Sequence, residues 1–240
     1  MYQQALKGRE KALGQDHPST LDTVNNLGNL YDDQGRLTEA ESMYQRALEG
    51  YEKALGRDHP STLTTVHNLG NLYADQGRLT EAKSMYQQAL KGREKALGQD
   101  HPSTLDTVNN LGNLYDDQGR LTEAESMHQR ALKGKEKALG QDHPSTLETV
   151  HNLGVLYANQ GRLTEAELMH QRALSGFWVA LGPSHWKTQL ATENLDCLLQ
   201  TTKDSSAITK PPPLKAKMTK LEKLREKFRG FLKERRRPPS

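Results

Sequence analysis

Residues 16–31 read DHPSTLDTVNNLGNLY, and this stretch decides the fold because close copies of it recur along the chain. The phrase Asp-His-Pro-Ser-Thr-Leu is repeated every 42 residues, starting at Asp16, Asp58, Asp100 and Asp142. A degenerate fifth copy, Ser-His-Trp, lies at residues 184–186. A fixed period of this size is the sequence signature of a repeat architecture. Residues 1–43 are also identical to residues 85–127, which indicates duplication of a two-repeat unit.

Within one unit the apolar and small residues follow steps of three and four. They are Leu21, Val24, Leu27, Gly28 and Tyr31, then Ala40, Tyr44, Ala47, Leu48, Tyr51 and Leu55. Such steps predict two amphipathic helices, which we call helix A and helix B. Pro18 suits the first position of helix A and Gly35 its C-terminal end, which predicts a helix of about 16 residues.

The beginning and the interior of helix B also carry signals. Thr38 with Glu41 predicts a capping box at its N-terminus, and the pair recurs at Thr122 and Thr164. Gly50 inside the helix costs about 0.5 to 1 kcal/mol relative to alanine, so we expect close backbone packing there.

The combination Asn26-Leu27-Gly28, Tyr31, Ala40, Tyr44 and Ala47 resembles the tetratricopeptide repeat, with a period of 42 that lengthens helix B and its exit loop. The phrases Leu-Gly-x-Asp-His-Pro, Asn-Asn-Leu-x-x-Leu-Tyr, Gln-Gly and Glu-Ala-Glu resemble the long repeats of kinesin light chains, and still more the repeat regions that end many fungal STAND-type signalling NTPases. The resemblance covers roughly residues 1–195 and implies an all-α, right-handed superhelical solenoid of antiparallel helix pairs. HEAT or armadillo arrays are disfavoured by the Gly28, Tyr31 and Ala40 pattern, and propellers by the helical period.

The repeat predicts the domain boundaries. Residues 1–17 are a partial repeat with helix B alone, 18–182 are four repeats, 183–200 a degenerate capping helix, 201–217 a Pro-rich linker and 218–240 a basic amphipathic helix or tail. One side of the helix in residues 1–13 should be uncovered, so either the array is longer or this helix self-associates. Trp178 and Trp186 are expected to pack within the end cap.

A stripe of polar residues on helix A is the candidate binding site. Asp22, Asn25, Asn29 and Asp32 are spaced three, four and three, which confines them to an arc of roughly 80°. We expect them to line the inner, concave wall of the solenoid. Their equivalents in the next repeats are Thr64, His67, Asn71 and Ala74, then Asp106, Asn109, Asn113 and Asp116, then Glu148, His151, Val155 and Ala158.

An asparagine side chain offers one acceptor and two donors, so Asn29, Asn71 and Asn113 are predicted to hold the backbone of a peptide or protein partner. The resemblance implies the same, because this face commonly holds peptides in tetratricopeptide proteins. The acidic residues favour a basic or neutral ligand. His67 and His151 suggest pH-sensitive binding, with plain hydrogen bonding as the alternative, and His128 and His170 are expected to be partly buried. The rival functions are a self-assembling structural repeat and the detached sensor arm of a STAND-type protein.

The tail suggests a second surface. Residues 201–240 hold 13 Lys and Arg against four acidic residues, a net charge of +9, so the other 200 residues carry −6 of the overall +3. An apolar stripe with basic flanks is formed by Leu221, Leu224, Phe228, Phe231 and Leu232, followed by Arg235, Arg236 and Arg237. Such a helix can lie on an anionic membrane, dock in a partner or occupy the acidic groove of its own solenoid, and the arginine run can contact nucleic acid or serve nuclear import. The alternative is a disordered end that only adds solubility.

Catalytic and metal sites are not expected. There is no Gly-rich phosphate loop, and one cysteine, Cys197, forms neither an internal disulfide nor a thiol metal site. The recurring His17, His59, His101 and His143 are assigned to turns, since helices pack about 8 to 10 Å apart and equivalent residues cannot share one ion. We therefore expect no enzyme activity and no cofactor, and the cytoplasm or nucleus as the location.

Overall fold

The structure, a computed structural model, describes residues 2–207, with side chains up to residue 201. The predicted tail, residues 218–240, and most of the predicted linker lie outside the described residues. Every element in the described part is an α-helix, which confirms the all-α class. A first unit, up to Gln99, contains α1 (Tyr2–Leu13), α2 (Pro18–Asp33), α3 (Leu37–Ala54), α4 (Pro60–Asp75) and α5 (Leu79–Leu97). A second unit, from Asp100, contains α6 (Pro102–Asp117), α7 (Leu121–Leu139), α8 (Pro144–Asn159), α9 (Leu163–Leu181) and α10 (Trp186–Ala207).

The A helices α2, α4, α6 and α8 begin as the sequence predicts. Pro18 occupies the first turn of α2, and Nδ1 of His17 accepts a hydrogen bond from the backbone N–H of Ser19 at 3.2 Å. The helix is 16 residues long and ends before Gly35, whose φ of 72° suits a residue without a Cβ. The same histidine bond recurs at 3.2 Å in α4, α6 and α8, so the turn role of these histidines is confirmed.

The predicted capping box of helix B is wrong. Helix α3 begins at Leu37 with Arg36 at its N-cap, and no side chain caps it, so Thr38 already lies inside the helix. Arg36 instead bonds Glu39 at 2.7 Å and stacks on the ring of Tyr31, with 4.2 Å from the guanidinium carbon to the ring centre. The stacking explains why an arginine follows the helix A glycine, because it clamps the last turn of helix A to the first turn of helix B.

Helices A and B of one repeat pack without space for an extra methyl group at two glycines. A Cβ on Gly28 would lie 2.7 Å from the Tyr44 ring, and a Cβ on Gly50 would lie 2.5 Å from Leu21. Tyr44 and Leu21 are accordingly 2% and 1% exposed. The close backbone packing predicted for Gly50 is therefore confirmed.

The C-terminal end differs from the expectation in two respects. Helix α10 runs to Ala207, beyond the predicted boundary at residue 200. Trp178 is 55% exposed and Trp186 39% exposed, so the prediction that both pack within the end cap is wrong. Phe177 is the buried aromatic residue of α9, at 2% exposed, and Trp178 lies one residue further round the helix.

Candidate functional site

The predicted site residues all lie on A helices, beside the buried stripe that packs each helix into its unit. The exposed ones are Asp22, Asn29, Thr64 and Asn113. The half-buried ones are Asn25, Asp32, His67, Asn71, Ala74, Asp106, Glu148, Val155 and Ala158. The buried ones are Asn109, Asp116 and His151. In each unit the exposed and half-buried residues form a candidate surface, which we call the A-helix surface of that unit.

Helix B fixes the orientation of the asparagines on this surface. The hydroxyl of Tyr44 donates to Oδ1 of Asn29 at 2.7 Å, and the hydroxyl of Tyr86 donates to Oδ1 of Asn71 at 2.8 Å. Asn68 of the next A helix also donates to Oδ1 of Asn29, at 3.2 Å. Since the oxygen is held from both sides, the NH₂ group of Asn29 is the part of the amide that remains for a ligand.

A second asparagine position links one repeat to the next. Asn26, Asn68, Asn110, Asn152 and Asn194 recur at the 42-residue period, one residue before a core leucine. Nδ2 of Asn152 donates to Oδ1 of Asn109 at 3.4 Å, and Nδ2 of Asn194 lies 3.1 Å from Nε2 of His151. These asparagines were not among the predicted site residues, although their recurrence in all five copies was a signal in the sequence.

The buried site residues of the second unit contact neighbouring helices, within their own repeat or in the next one, and do not contribute to the A-helix surface. Asn109 is 3% exposed and its Oδ1 lies 3.1 Å from Nδ1 of His128. Asp116 accepts two bonds from Nδ2 of Asn159, at 3.0 and 3.1 Å. His151 lies 5.2 Å from the His170 ring, between ring centres. These side chains stabilise the repeat stack.

Burial decides the protonation of the histidines in the second unit. His128 and His170 are 1% and 2% exposed, so they are fully buried rather than partly buried as expected. Burial, with the nearby charge of Lys135, lowers the pKa of His128 to about 4. Burial lowers the pKa of His151 to about 4, with a contribution from Lys187, and that of His170 to about 3. All three are neutral near pH 7.

The carboxylates on the A-helix surface differ between the units. In the first unit the Tyr51 hydroxyl donates to Oδ1 of exposed Asp22. In the second unit the equivalent Asp106 forms an ion pair with buried Lys135 at 2.8 Å, and Glu148 forms one with Lys187 at 2.7 Å. Because a lysine already neutralises Asp106 and Glu148, the negative charge available to a ligand on these surfaces lies mainly on the first unit.

The described part of the chain shows neither a metal site nor a membrane-spanning helix. No group of three histidine, cysteine or acidic side chains between residues 2 and 201 is placed to hold a metal ion. Cys197, half-buried on α10, is a free thiol. No helix within residues 2–207 has the length and apolar character needed to cross a membrane.

Consecutive antiparallel helix pairs, closed by glycine against an aromatic ring and repeated every 42 residues, define a helical-repeat protein. Four overlapping matches to the tetratricopeptide repeat model cover residues 1–53, 24–95, 61–137 and 103–177, and the chain belongs to the tetratricopeptide repeat family. Members of this family generally mediate protein–protein interactions, and the fold is typically a non-catalytic scaffold.

Solved structures agree with this fold. The crystal structure of BtubC (BKLC) from P. vanneervenii is similar with a TM-score of 0.72 at 20% identity, over 95% of this chain and 90% of that one. A putative kinesin light chain from Podosopora anserina, with nearly identical TPR-like repeats, is similar with a TM-score of 0.65 at 24% identity, over 88% of this chain and 98% of that one. The expected resemblance to a long tetratricopeptide array of the kinesin light chain kind is confirmed. No curated protein matches the chain.

Proposed function

We propose that this protein is a non-enzymatic interaction module that binds an extended segment of a partner protein along its A-helix surface. The observation that carries the proposal is the orientation of Asn29. Its oxygen accepts from Tyr44 and Asn68, and no acceptor among the described residues contacts its NH₂ group. A fixed pair of N–H donors suits the backbone carbonyls of an extended peptide, which every sequence provides.

The charges favour a basic or neutral partner. Asp22 is exposed and bonded to a neutral tyrosine, so it can attract a lysine or arginine of the ligand. Asp106 and Glu148 already pair with lysines, and we expect the second unit to bind its ligand through shape and hydrogen bonds more than charge. A cationic part of the ligand is therefore placed on the first unit in this proposal.

The test is selection of a random peptide library on the full chain and on two triple variants. Changing Asn29, Asn71 and Asn113 to Ala removes the proposed contacts. The matched control changes Gln45, Gln87 and Gln129 to Ala, which removes three exposed amides from the B helices. Enrichment of a shared motif by the parent and the glutamine control, lost in the asparagine variant, supports the proposal, whereas equal enrichment by all three contradicts it.

Self-assembly through α1 is the second candidate function. Tyr2 is 44% exposed, while Tyr44, its equivalent in the next repeat, is 2% exposed. A second copy that covers Tyr2 would bury this side chain as a preceding helix does elsewhere. Light scattering at increasing protein concentration separates the two functions, since an assembler grows in mass and an interaction module does not.

The A-helix surface would serve equally well in the sensor arm of a STAND-type signalling protein, the further alternative that the sequence raises. For either role we propose the cytoplasm or the nucleus as the location, because one half-buried free cysteine fits a reducing compartment.

A further inference from the structure

The last helix B, α9, carries exposed apolar side chains where earlier repeats carry charges. Trp178 is 55% exposed and Val179 85% exposed. At the period of 42 residues, Trp178 stands where Glu136 stands in α7, and Val179 where Lys137 stands. We call Trp178 and Val179 the α9 edge.

Contacts of the earlier repeats identify which neighbour Trp178 faces. They do not place Val179 on the same side, because Lys137, its equivalent in α7, pairs with Asp100 at the start of its own repeat. Oε1 of Glu136 in α7 pairs with Arg172 of the following helix B, α9, at 2.6 Å. In the first unit Glu10 of α1 pairs with Arg46 of α3 at the same distance. Trp178 therefore lies on the side of α9 that, in those repeats, is covered by the next helix B.

Tryptophan in place of glutamate at this position implies that the helix packed against it differs from the helices B of earlier repeats. The side chains of Glu10 and Glu136 are 26% and 29% exposed because the next helix covers them. Trp178 would lose a comparable fraction of its larger apolar surface beneath a helix in that place, and removing apolar surface from water is favourable. The neighbour should therefore present apolar rather than cationic side chains to Trp178.

Helix α10 carries exposed acidic residues where a following helix B would pack. Asp196 is exposed and occupies the position of Gly28, the glycine whose added Cβ would meet the helix B tyrosine. Glu193, three residues earlier, is also exposed. A helix B neighbour of α10 should therefore combine an apolar stripe for Trp178 with cationic residues for these carboxylates.

The chain itself contains a segment with this combination. Residues 218–232 carry an apolar stripe at Leu221, Leu224, Phe228, Phe231 and Leu232. Lysines and arginines stand between these positions. The ten residues from 208 to 217 can span about 33 Å when extended, and the 22 residues of α10 are about as long. The linker is thus long enough to let the segment return along α10 to the level of Trp178.

We propose that residues 218–232 pack against Trp178 of the α9 edge and the acidic side of α10, in the place that a helix B takes in the other repeats. The tail thereby closes the stack and shields Trp178 from solvent. This docking does not depend on peptide binding by the A-helix surface. It is also distinct from occupation of that surface by the tail.

Hydrogen exchange of the full chain tests the proposal. The first variant, W178E with V179K, restores the Glu-Lys pair that earlier repeats tolerate, so its fold should be kept. The control variant, L168S, removes another exposed apolar side chain of α9, about 15 Å along the helix, and restores the serine of earlier repeats.

We expect amides of residues 218–232 to exchange at least about tenfold more slowly than an unstructured chain in the parent and in L168S, and at the unstructured rate in W178E/V179K. Unprotected amides in the parent overturn the proposal, as does protection that survives W178E/V179K. Protection that grows with protein concentration also overturns it, because a second copy would then be the occupant.

Discussion

Replacing His128 by Tyr should make the protein less sensitive to acid. His128 packs on Gly112 as Tyr44 packs on Gly28, so the chain itself contains the template for the exchange. The new hydroxyl would lie near Asn113, the equivalent of Asn29, and could donate to it as Tyr44 does. The substitution removes a titrating group and keeps a ring packed on Gly112, at the loss of the contact between His128 and Asn109.

The magnitude follows from the pKa of His128. An unfolded histidine has a pKa of about 6.5, and burial followed by the charge of Lys135 lowers the folded value to about 4. Because the unfolded chain binds the proton more tightly, stability is fully present above pH 6.5 and falls as the pH drops toward the folded value. The loss from this one residue is about 2 kcal/mol at about pH 5 and about 3 kcal/mol below about pH 4.

Urea unfolding followed by circular dichroism measures the effect. The difference in unfolding free energy between about pH 7.5 and about pH 5 should be smaller in H128Y than in the parent by about 2 kcal/mol. The reverse exchange, Y44H in the first unit, should enlarge the difference. An unchanged pH dependence in H128Y would refute the reasoning, since it would mean that His128 does not titrate on unfolding.

Two further predictions concern packing and inter-repeat pairing. Gly50→Ala should destabilise the chain by about 1 to 3 kcal/mol, because the added Cβ would lie 2.5 Å from Leu21. Gly8→Ala should stabilise it by about 0.5 to 1 kcal/mol, because an added Cβ there would have nothing within 4 Å. Thermal unfolding compares the two variants, and a change of stability in the same direction in both would contradict the packing argument. Glu125→Gln should lower the free energy of unfolding in urea by about 1 kcal/mol, because both carboxylate oxygens bond Arg162 of the next repeat at 2.8 and 2.9 Å. A variant as stable as the parent would show that this ion pair contributes nothing to stability.

The sequence predicted the repeat, the helix pairs and the bounds of helix A because each rests on a local rule. Pro18 and Gly35 act through their own backbone, so their effect is readable without tertiary structure. The helix B cap failed for the opposite reason. Glu41 accepts from Arg78 of the following repeat at 3.0 Å, and this long-range bond competes with the local capping box.

The candidate site was predicted only in outline. The 3.6-residue period placed Asn29 and Asn109 on the same face of helix A. Their exposure differs because of contacts with other helices, which the spacing within one helix does not describe. Asn109 is buried beside His128, whereas Asn29 is exposed. The pairing of Asp106 with Lys135 likewise joins residues 29 positions apart, which no spacing rule addresses. Position within the repeat, rather than residue type, decides which asparagines can reach a ligand, since Asn113, the equivalent of Asn29, is exposed beside buried Asn109.

The most direct test of the account measures how tightly a library-selected peptide binds the variant with Asn29, Asn71 and Asn113 changed to Asp. Aspartate keeps the oxygen that Tyr44 and Tyr86 need but removes the N–H donors proposed to hold the ligand backbone. We expect a loss of affinity of at least about tenfold for an uncharged peptide, with unfolding free energy close to that of the parent. Unchanged affinity in this variant would contradict the claim that these amides bind the partner.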